Sequence, residues 1–517
     1  MRSDIARRLL ALLLVAVGIY RFSLLGRGAL AFVDETFYFT SVKALQSLSS
    51  GDLHSAVADI AAARGRNGAA LLQMPVAALQ AIPARYGIPA SNLRSLLLPT
   101  ACNVIVTLIS LYFVFGIGVV LCGSAGAALA GAFVYALLAN SNIYVRHLLP
   151  YDWALCVGLL ALWLAITRQN SRGLAVWTGL LTGVLLTVYT GYYSLCAVIG
   201  LAVLWQAWSS RALRDAFKFT LVFALSAAAA IAAVELLFRT GGQSYFGSLR
   251  GVHRDISFTS YGDGWTFLPD YLLDVERLAG LALILGAVAY VWRAGVRIVH
   301  GRVRPIDRVM LTMLAAFVVQ AASSSALHAI PLYGRLIHPW MPFLVWMLAD
   351  SLTAAPGRRA RAVAYTGVLA ASVISFGLMN REYWPLKYPP DVLYAMGIDT
   401  EHLSPDHMLC ELYPGTSYSS PGPVNRTTRE PFTDRRDYVL LNFCQALPAV
   451  PRPKQPAVVP SGATRVFDGP HWMTFPAYAY EGLSREDREA IRRDAYRLQV
   501  FTTHEALSSR PVLRGSS

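Results

Sequence analysis

Residues 9–38 read LLALLLVAVGIYRFSLLGRGALAFVDETFY. An apolar run of near-spanning length passes one arginine, Arg21, and reaches two adjacent carboxylates, Asp34 and Glu35. Carboxylates that face lipid are costly, so a solvated or catalytic setting just beyond a membrane span suits the pair better. Arg21, near the end of the run, is expected to carry its guanidinium to the interface while its stem stays among apolar groups. Arg7-Arg8 ahead of the apolar core has the look of a signal peptide, but no small-residue cleavage site closes it, so the segment reads as an uncleaved anchor.

The same pattern recurs outward from this stretch. The 517 residues are 55% hydrophobic and 15% charged, less charge than a soluble chain of this size carries. Apolar runs stand at roughly 9–25, 95–121, 124–143, 153–167, 174–190, 192–208, 217–238, 278–292, 309–327, 338–352 and 362–380. From residue 381 the chain is rich in proline and charge and has no spanning run. The expected fold is mainly α: a polytopic transmembrane helical bundle of about eleven spans over residues 1–380, then a small α+β soluble domain over 381–517.

A net charge of +14 suggests nucleic acid at first sight, but the basic residues are distributed as a topology signal and no nucleic-acid partner is expected. They sit in alternate short connections: Arg2, Arg7 and Arg8; Arg168 and Arg172; Arg211, Arg214 and Lys218; Arg293, Arg297, Arg302, Arg304 and Arg308; Arg358, Arg359 and Arg361. Such loops mark the cytoplasmic side, which places the N-terminus inside and, with an odd number of spans, the C-terminal domain outside. The uncharged break near Gly123 is the least marked boundary. The Ala/Arg-rich composition suggests a bacterial plasma membrane. Cys102, Cys122, Cys156 and Cys196 fall in apolar runs and read as packing residues. Cys410 and Cys444 stand alone in the tail, where an outside location favours a disulfide. No His/Cys spacing suggests a metal site, and no cofactor is expected.

On this topology the unusual polar residues collect outside, opposite the topogenic arginines. The first outer segment, Gly26 to about Arg94, carries Asp34-Glu35, a helix-like stretch from Thr36 to Leu48, Gly-Arg-Asn-Gly at 65–68, and an apolar piece from Ala69 to Ile82 that contains Pro75 and is too short to span comfortably. The second runs from Tyr144 to Asp152 with Arg146 and His147, the third is the polar Arg239–Arg277 segment, and the fourth is Tyr333-Gly-Arg335-Leu-Ile-His338-Pro339. A pocket lined by Asp, Glu, Arg, His and Tyr beside lipid suits a substrate with a polar head and a greasy tail.

An arginine at the outer end of the first span followed by Asp34-Glu35-x-x-Tyr38 resembles the integral-membrane glycosyltransferases of the GT-C type, which use polyprenyl-phosphate sugars as donors. Its flavour is that of the bacterial aminoarabinose, galacturonosyl and protein-mannosyl transferases. First-loop segments with a proline, Arg146 and Asp152 in the second outer loop, and Tyr333-Gly-Arg335 with His338-Pro339 follow in the same order over roughly residues 1–350. The resemblance implies inverting transfer of the sugar to a lipid, glycan or protein hydroxyl on the outer face. It matches Asp34 to the proposed general base, with Glu35 beside it. A carboxylate can take the acceptor proton, and a fixed cation can stabilise the departing phosphate. Arg335 is expected in that role because a guanidinium fork matches phosphate oxygens, with Arg146, His338 and Arg66 as further phosphate ligands and Asp152, Tyr38, Tyr333 and His147 lining the pocket. The chain departs from the family pattern in having Gln73-Met74-Pro75 where relatives place a basic residue before the proline; Arg64, Arg66 or Lys43 are the available substitutes.

Plainer readings accompany these. Asp34-Glu35 fits a cap for a helix beginning near Thr36, and Asp152 a cap for the span at Trp153. Tyr189, Tyr192 and Tyr193 read as an interfacial aromatic belt. Glu235 sits near the outer end of a span with no visible partner. In the tail, Tyr438–Phe443 reads as a buried strand, Ser484–Leu498 as a charged surface helix, and Trp472, Tyr478 and Tyr480 as core aromatics. The alternatives to an enzyme are a polytopic lipid or glycan transporter, which would be expected to show repeated halves and mid-membrane broken helices, and a non-catalytic membrane scaffold. The topology itself is open to direct measurement. Tags at the N-terminus and after Arg172 should report cytoplasm, and tags after Ser260 and at Ser517 the outside. A cytoplasmic signal at Ser517 would exclude the eleven-span arrangement.

Overall fold

The computed structural model describes residues 3–29, 32–63, 65–90, 92–167, 172–210, 212–256, 263–327, 332–388, 438–441, 464–470, 472–481, 484–486, 488–489, 497–502 and 513–514. Cys410 and Cys444 lie outside these residues, and so does the disulfide expected between them. The chain is mainly helical. Among the described residues five helices are long and apolar enough to cross a membrane: Leu97–Cys122, Thr190–Trp208, Leu213–Thr240, Pro305–Leu327 and Gly357–Tyr383. Ala125–Leu137, Tyr151–Thr167 and Gly173–Val188 are apolar but shorter, below the roughly 20 residues that span a bilayer unaided. The outward faces are apolar. In the Leu213–Thr240 helix only 6% of the most hydrophobic window is buried, and Leu225, Leu236, Trp292 and Val319 are all exposed. A soluble protein does not leave so much apolar surface in water; this is the exterior of a membrane-embedded protein in contact with acyl chains.

Local chemistry sets the helix ends. At Gly123 the backbone turns left-handed, φ 65°, which closes the Leu97–Cys122 helix. Ser124 Oγ then accepts from the Ala127 N–H at 3.3 Å and opens the next helix. The uncharged break in the sequence is therefore a real helix break. The Arg172–Val188 and Leu213–Thr240 helices meet through small residues. A Cβ on Gly179 would fall 2.3 Å from the Phe223 carbonyl oxygen, and one on Gly183 would fall 2.4 Å from that of Ala227. This is the small-xxx-small packing that lets membrane helices approach backbone to backbone.

Four short helices, Tyr38–Ser49, Leu53–Ala61, Asn67–Leu79 and Ala81–Ala84, fill the first loop. Pro75 lies inside the third. They are tied together by the Ser41 hydroxyl, which donates to the Ala70 carbonyl at 2.9 Å, and by Asn67 Nδ2, which donates to the Ile60 carbonyl at 2.9 Å.

Three expectations need correction. Arg21 is fully buried rather than at the interface, because Nε donates to Asn142 Oδ1 at 3.0 Å and the bundle supplies its polar partners. Tyr189 and Tyr192 are buried and pack edge to face, ring centroids 5.1 Å apart; of the three only Tyr193, 37% exposed, stands where a belt residue would. Glu235 has partners: Arg239 Nε at 2.7 Å, and the Phe246 N–H at 3.2 Å as the chain turns into the Tyr245–Ile256 helix.

The tail contributes a four-stranded sheet of β1 (Tyr438–Leu441), β2 (Thr464–Pro470), β3 (Arg497–Thr502) and β4 (Leu513–Arg514), in the order β1-β3-β2-β4. β3 is antiparallel to both its neighbours, and β4 runs parallel to β2. β3 begins inside the segment expected to be helical to Leu498; the alternation of Leu498 and Val500 with polar Arg497 and Gln499 is a period of two. Between β2 and β3, residues 472–481 turn back into the helical bundle. Trp472 and Tyr478 are fully buried there, with Trp472 packed against Phe32 at 5.2 Å and Tyr480 against Phe267 at 5.3 Å.

A second set of buried charges lies where the Arg277–Val299, Pro305–Leu327 and Met341–Thr353 helices end. Arg297 and the Arg304 N–H bond Asp307, while Arg293 and Arg304 reach Asp350 Oδ2 at 2.8 and 2.9 Å. Both aspartates are fully buried. Loop arginines read from the sequence as topology markers thus also neutralise two carboxylates. The glycine contact gives a stability test. Gly183→Leu should destabilise the purified protein by at least about 1–3 kcal/mol through overpacking, whereas Gly173→Ala, which meets nothing within 4 Å, should leave its unfolding midpoint in place. Equal midpoints for the two variants would contradict the packing.

Candidate functional site

Asp34 and Glu35 sit in a tight turn, Val33–Phe37, that leads into the Tyr38–Ser49 helix. The two neighbours face different ways and do different work. Asp34 Oδ2 accepts from Arg66 Nη2 at 2.7 Å and from Arg335 Nη1, and the Tyr151 hydroxyl lies 3.3 Å away. The site thus draws one carboxylate, two guanidiniums and a phenol from four separate stretches of chain. Arg66 stands just ahead of the Asn67–Leu79 helix, after Gly65 at φ 74°. The Gly65 N–H donates to Ser248 Oγ at 3.1 Å, which ties this corner to the Tyr245–Ile256 helix. Arg335 lies on a short helical turn, Gly334–Ile337, and Nη1 also donates to the Tyr151 hydroxyl at 2.7 Å. Arg66 stacks near Phe37 and Tyr189, at 5.1 and 5.8 Å, and Arg335 near Tyr333, at 4.7 Å.

Glu35 is fully buried and braces the backbone. Oε1 accepts from the Phe32 N–H at 3.0 Å and contacts His147 Nδ1 at 3.1 Å; Oε2 accepts from the Leu148 N–H at 2.8 Å. His147 Nε2 meets the Tyr478 hydroxyl at 2.7 Å. Glu35 therefore joins the segment after the first helix to the 144–152 segment and, through His147, to the tail. Its own bond to Phe32 is the local, cap-like part of the arrangement; the contacts of Asp34 above are all to side chains far away in sequence.

Of the residues the sequence pointed to, Asp34, Arg335, Arg66 and Tyr333 converge, and Glu35 and His147 stand beside them. Arg146, His338, Asp152 and Tyr38 are buried nearby with other partners. Arg146 donates to the Tyr383 hydroxyl at 2.7 Å and stacks on that ring at 3.6 Å, so its charge is spent on the Gly357–Tyr383 helix. His338 bridges Asn140 Oδ1 at 2.7 Å and Asp152 Oδ1 at 3.2 Å. Tyr38 donates to Gln80 Oε1 at 2.7 Å within the first loop. Arg64 lies outside the described residues. The cluster is also more enclosed than the laterally open pocket the sequence suggested, with Asp34 5% and Arg335 7% exposed. The Arg66 side chain, at 13%, is more open than either.

Tyr151 and Glu481 escaped sequence reasoning, and Tyr189, read there as a belt residue, also joins the cluster. Glu481, 1% exposed, lies 3.6 Å from Arg335 Nε through Oε2 and accepts a short hydrogen bond from the Tyr144 hydroxyl. The Gly334 N–H donates to the Tyr480 carbonyl at 3.0 Å, so the tail holds the very turn that carries Arg335. Gly334 leaves room for the side chains around it: a Cβ there would lie 2.7 Å from Glu481 Oε1 and 3.0 Å from Tyr271 Cε2, so a larger residue would require them to shift. The only local signal for Glu481 is its place directly after the aromatic run Tyr478-Ala479-Tyr480.

The two carboxyls are driven apart. Burial pushes Asp34 up, but Arg66 and Arg335, by charge and by hydrogen bonding, outweigh it and hold the group down to about 2. Burial dominates at Glu481 and raises it above the ordinary range, against the pull of Arg335. With both guanidiniums in contact Asp34 is the anionic carboxyl of the site, and Glu481 is the one that more readily holds a proton, the divergence that acid–base sites exploit. Among the described residues no group of three or more His, Cys, Asp or Glu side chains comes together as a metal site. A cavity of about 610 Å³ lies at the other end of the Ala125–Leu137 helix, lined by Ser124, Ala127, Arg361 and Tyr365, and takes no part in this cluster.

No protein-family model matches the chain, and comparison with curated proteins and with solved structures finds no match to either.

The division of labour between the neighbouring acids is testable. Glu35→Gln should cost about 1.5–3 kcal/mol for each charge-assisted bond weakened, seen as a lower unfolding midpoint, while the fraction that remains folded keeps its ligand affinity. Loss of ligand binding at an unchanged midpoint would place Glu35 in the chemistry instead.

Proposed function

We propose that this protein is an inverting glycosyltransferase of the GT-C kind, which transfers a sugar from a polyprenyl-phosphate donor to a hydroxyl of a lipid, glycan or protein acceptor. The reading includes eleven spans, a cytoplasmic N-terminus, and a site and tail on the outer face of a bacterial plasma membrane. What supports it above all is the meeting of Asp34 with Arg335, two residues 301 positions apart in the chain, at the point where the polar motifs had been expected to converge. A buried carboxylate beside two guanidiniums holds both groups the transfer needs, a proton acceptor and a phosphate-binding fork.

The residues divide the reaction as follows. The acceptor hydroxyl gives its proton to the Asp34 carboxylate as its oxygen attacks the anomeric carbon. The bond from that carbon to the phosphate oxygen breaks, and its electron pair leaves with the polyprenyl phosphate. Arg335 and Arg66 stabilise the charge that gathers on the phosphate. Tyr151, bonded to Arg335 and close to Asp34, keeps the fork aligned. The tail, through Glu481 and the Tyr480 carbonyl, holds the Arg335 turn in place. Attack from the face opposite the phosphate inverts the anomeric configuration.

A transporter or scaffold does not need a base next to the cations, so turnover discriminates among the readings. In membranes supplied with labelled polyprenyl-phosphate sugars and native acceptors, Asp34→Asn should lower transfer by about a hundredfold or more at unchanged membrane insertion. Arg335→Ala should weaken both donor binding and turnover, because the phosphate is charged before and after the bond breaks. Normal transfer by inserted Asp34→Asn would remove the base assignment, and no transfer by the wild type with any such donor would remove the enzyme reading.

A further inference from the structure

In the structure the phosphate-binding fork is already occupied by the protein's own anion. Arg66, Arg335 and the Tyr151 hydroxyl all converge on one oxygen, Asp34 Oδ2. Guanidinium groups gathered around one anionic oxygen are donors of the type that also bind phosphate oxygens. Arg66 Nη1 is buried and has no hydrogen-bond partner, so the fork retains a donor that Asp34 does not satisfy. A buried donor without an acceptor is costly, and a ligand with three or four acceptor oxygens could take it together with the bonds Asp34 now holds.

The same contacts make Asp34 a poor base as it stands. A general base works best when its proton affinity is near that of the medium, and a carboxylate clamped between two cations is far below that. Anything that draws Arg66 and Arg335 away from Oδ2, and adds negative charge beside it, returns basicity to the carboxylate.

We propose that Asp34 is the resident counter-anion of the Arg66–Arg335 fork, that the phosphate of a polyprenyl-phosphate ligand displaces it, and that this exchange frees the carboxylate to act as base only when a donor is bound. The inference rests on the glycosyl-transfer reading for its choice of ligand. It adds that binding and base activation are one event. An empty site would then hold a neutralised carboxylate and leave acceptor hydroxyls unactivated, while the donor's own charge completes the catalytic group. The exchange involves no covalent step: two guanidinium–carboxylate contacts are replaced by guanidinium–phosphate contacts.

A protein that binds phosphate in competition with its own carboxylate has an unusual signature: removing an acidic residue strengthens binding of an anion by more than general charge effects, and only for the phosphorylated ligand. The test uses full-length protein in nanodiscs, with a polyprenyl monophosphate and the matching polyprenol as probes, and compares wild type, Asp34→Asn, Asp34→Ser and Arg66→Gln. Folding of each is checked by its unfolding midpoint, and the second Asp34 variant guards against loss of the first. The expected result is that both Asp34 variants bind the monophosphate at least tenfold more tightly than wild type, that Arg66→Gln binds it about tenfold more weakly, and that polyprenol affinity is the same in all four. Folded Asp34 variants that bind the monophosphate no better than wild type overturn the exchange while leaving the transferase reading intact. A wild type and Asp34 variants that do not distinguish monophosphate from polyprenol overturn both.

Discussion

Two guanidiniums on one buried carboxylate organise one end of this protein. An isolated charge removed from water costs far more than a folded chain can spare, so Asp34, Arg66 and Arg335 are tolerable only together. That requirement fixes the first loop against the turn at 334–337, brings the start of the Tyr151–Thr167 helix beneath them through Tyr151, and makes the tail part of the site through Glu481. Glu35 supplies a parallel brace one residue away, holding the backbone of the second loop while Asp34 faces the cations. Adjacent residues of like charge thus take separate partners, Asp34 the two guanidiniums and Glu35 backbone N–H groups and His147.

The other buried charge set, Asp307 and Asp350 with Arg293, Arg297 and Arg304, obeys the same rule. Each cluster leaves buried atoms unpaired, Arg304 Nε and Asp350 Oδ1 in one and Arg66 Nη1 in the other. They differ in how the carboxylates are served. Asp307 spreads the Tyr290 hydroxyl, Arg297 and a backbone N–H over both its oxygens, whereas at Asp34 three donors crowd the single oxygen Oδ2.

Much of the helical architecture could be read from apolar runs, because a chain surrounded by lipid must keep its exterior apolar. The break at Gly123 was legible through a glycine followed by a capping serine, even without charge to mark it. The meeting of Asp34 with Arg335 was legible from the order and common side of short motifs. What escaped depends on distance in the chain or on partners. Glu481 has no motif, and only the fold brings residue 481 beside residue 335. Tyrosines suit both an interface and a core, so Tyr189 and Tyr192 could not be placed from their identity alone. Arg21 was expected at the interface because Asn142 approaches it only after the chain has folded, whereas the i,i+4 spacing of Glu235 and Arg239 was there to be read. Arg146 and His338 resembled site residues in type and spacing, yet Tyr383, Asn140 and Asp152 claim them.

The account reduces to one spatial claim, that a lipid-linked phosphate sits on the Arg66–Arg335 fork next to Asp34. The most direct measurement is an experimental structure, by electron cryomicroscopy in nanodiscs, with a polyprenyl-phosphate sugar or its unreactive analogue bound. The account expects the phosphate within hydrogen-bond distance of both guanidiniums, the Asp34 carboxylate moved off them and turned toward the anomeric carbon, and the prenyl tail leading out to lipid. Phosphate density at the opposite end of the bundle, or bound ligand with the Asp34 ion pairs undisturbed and remote from the sugar, would contradict it.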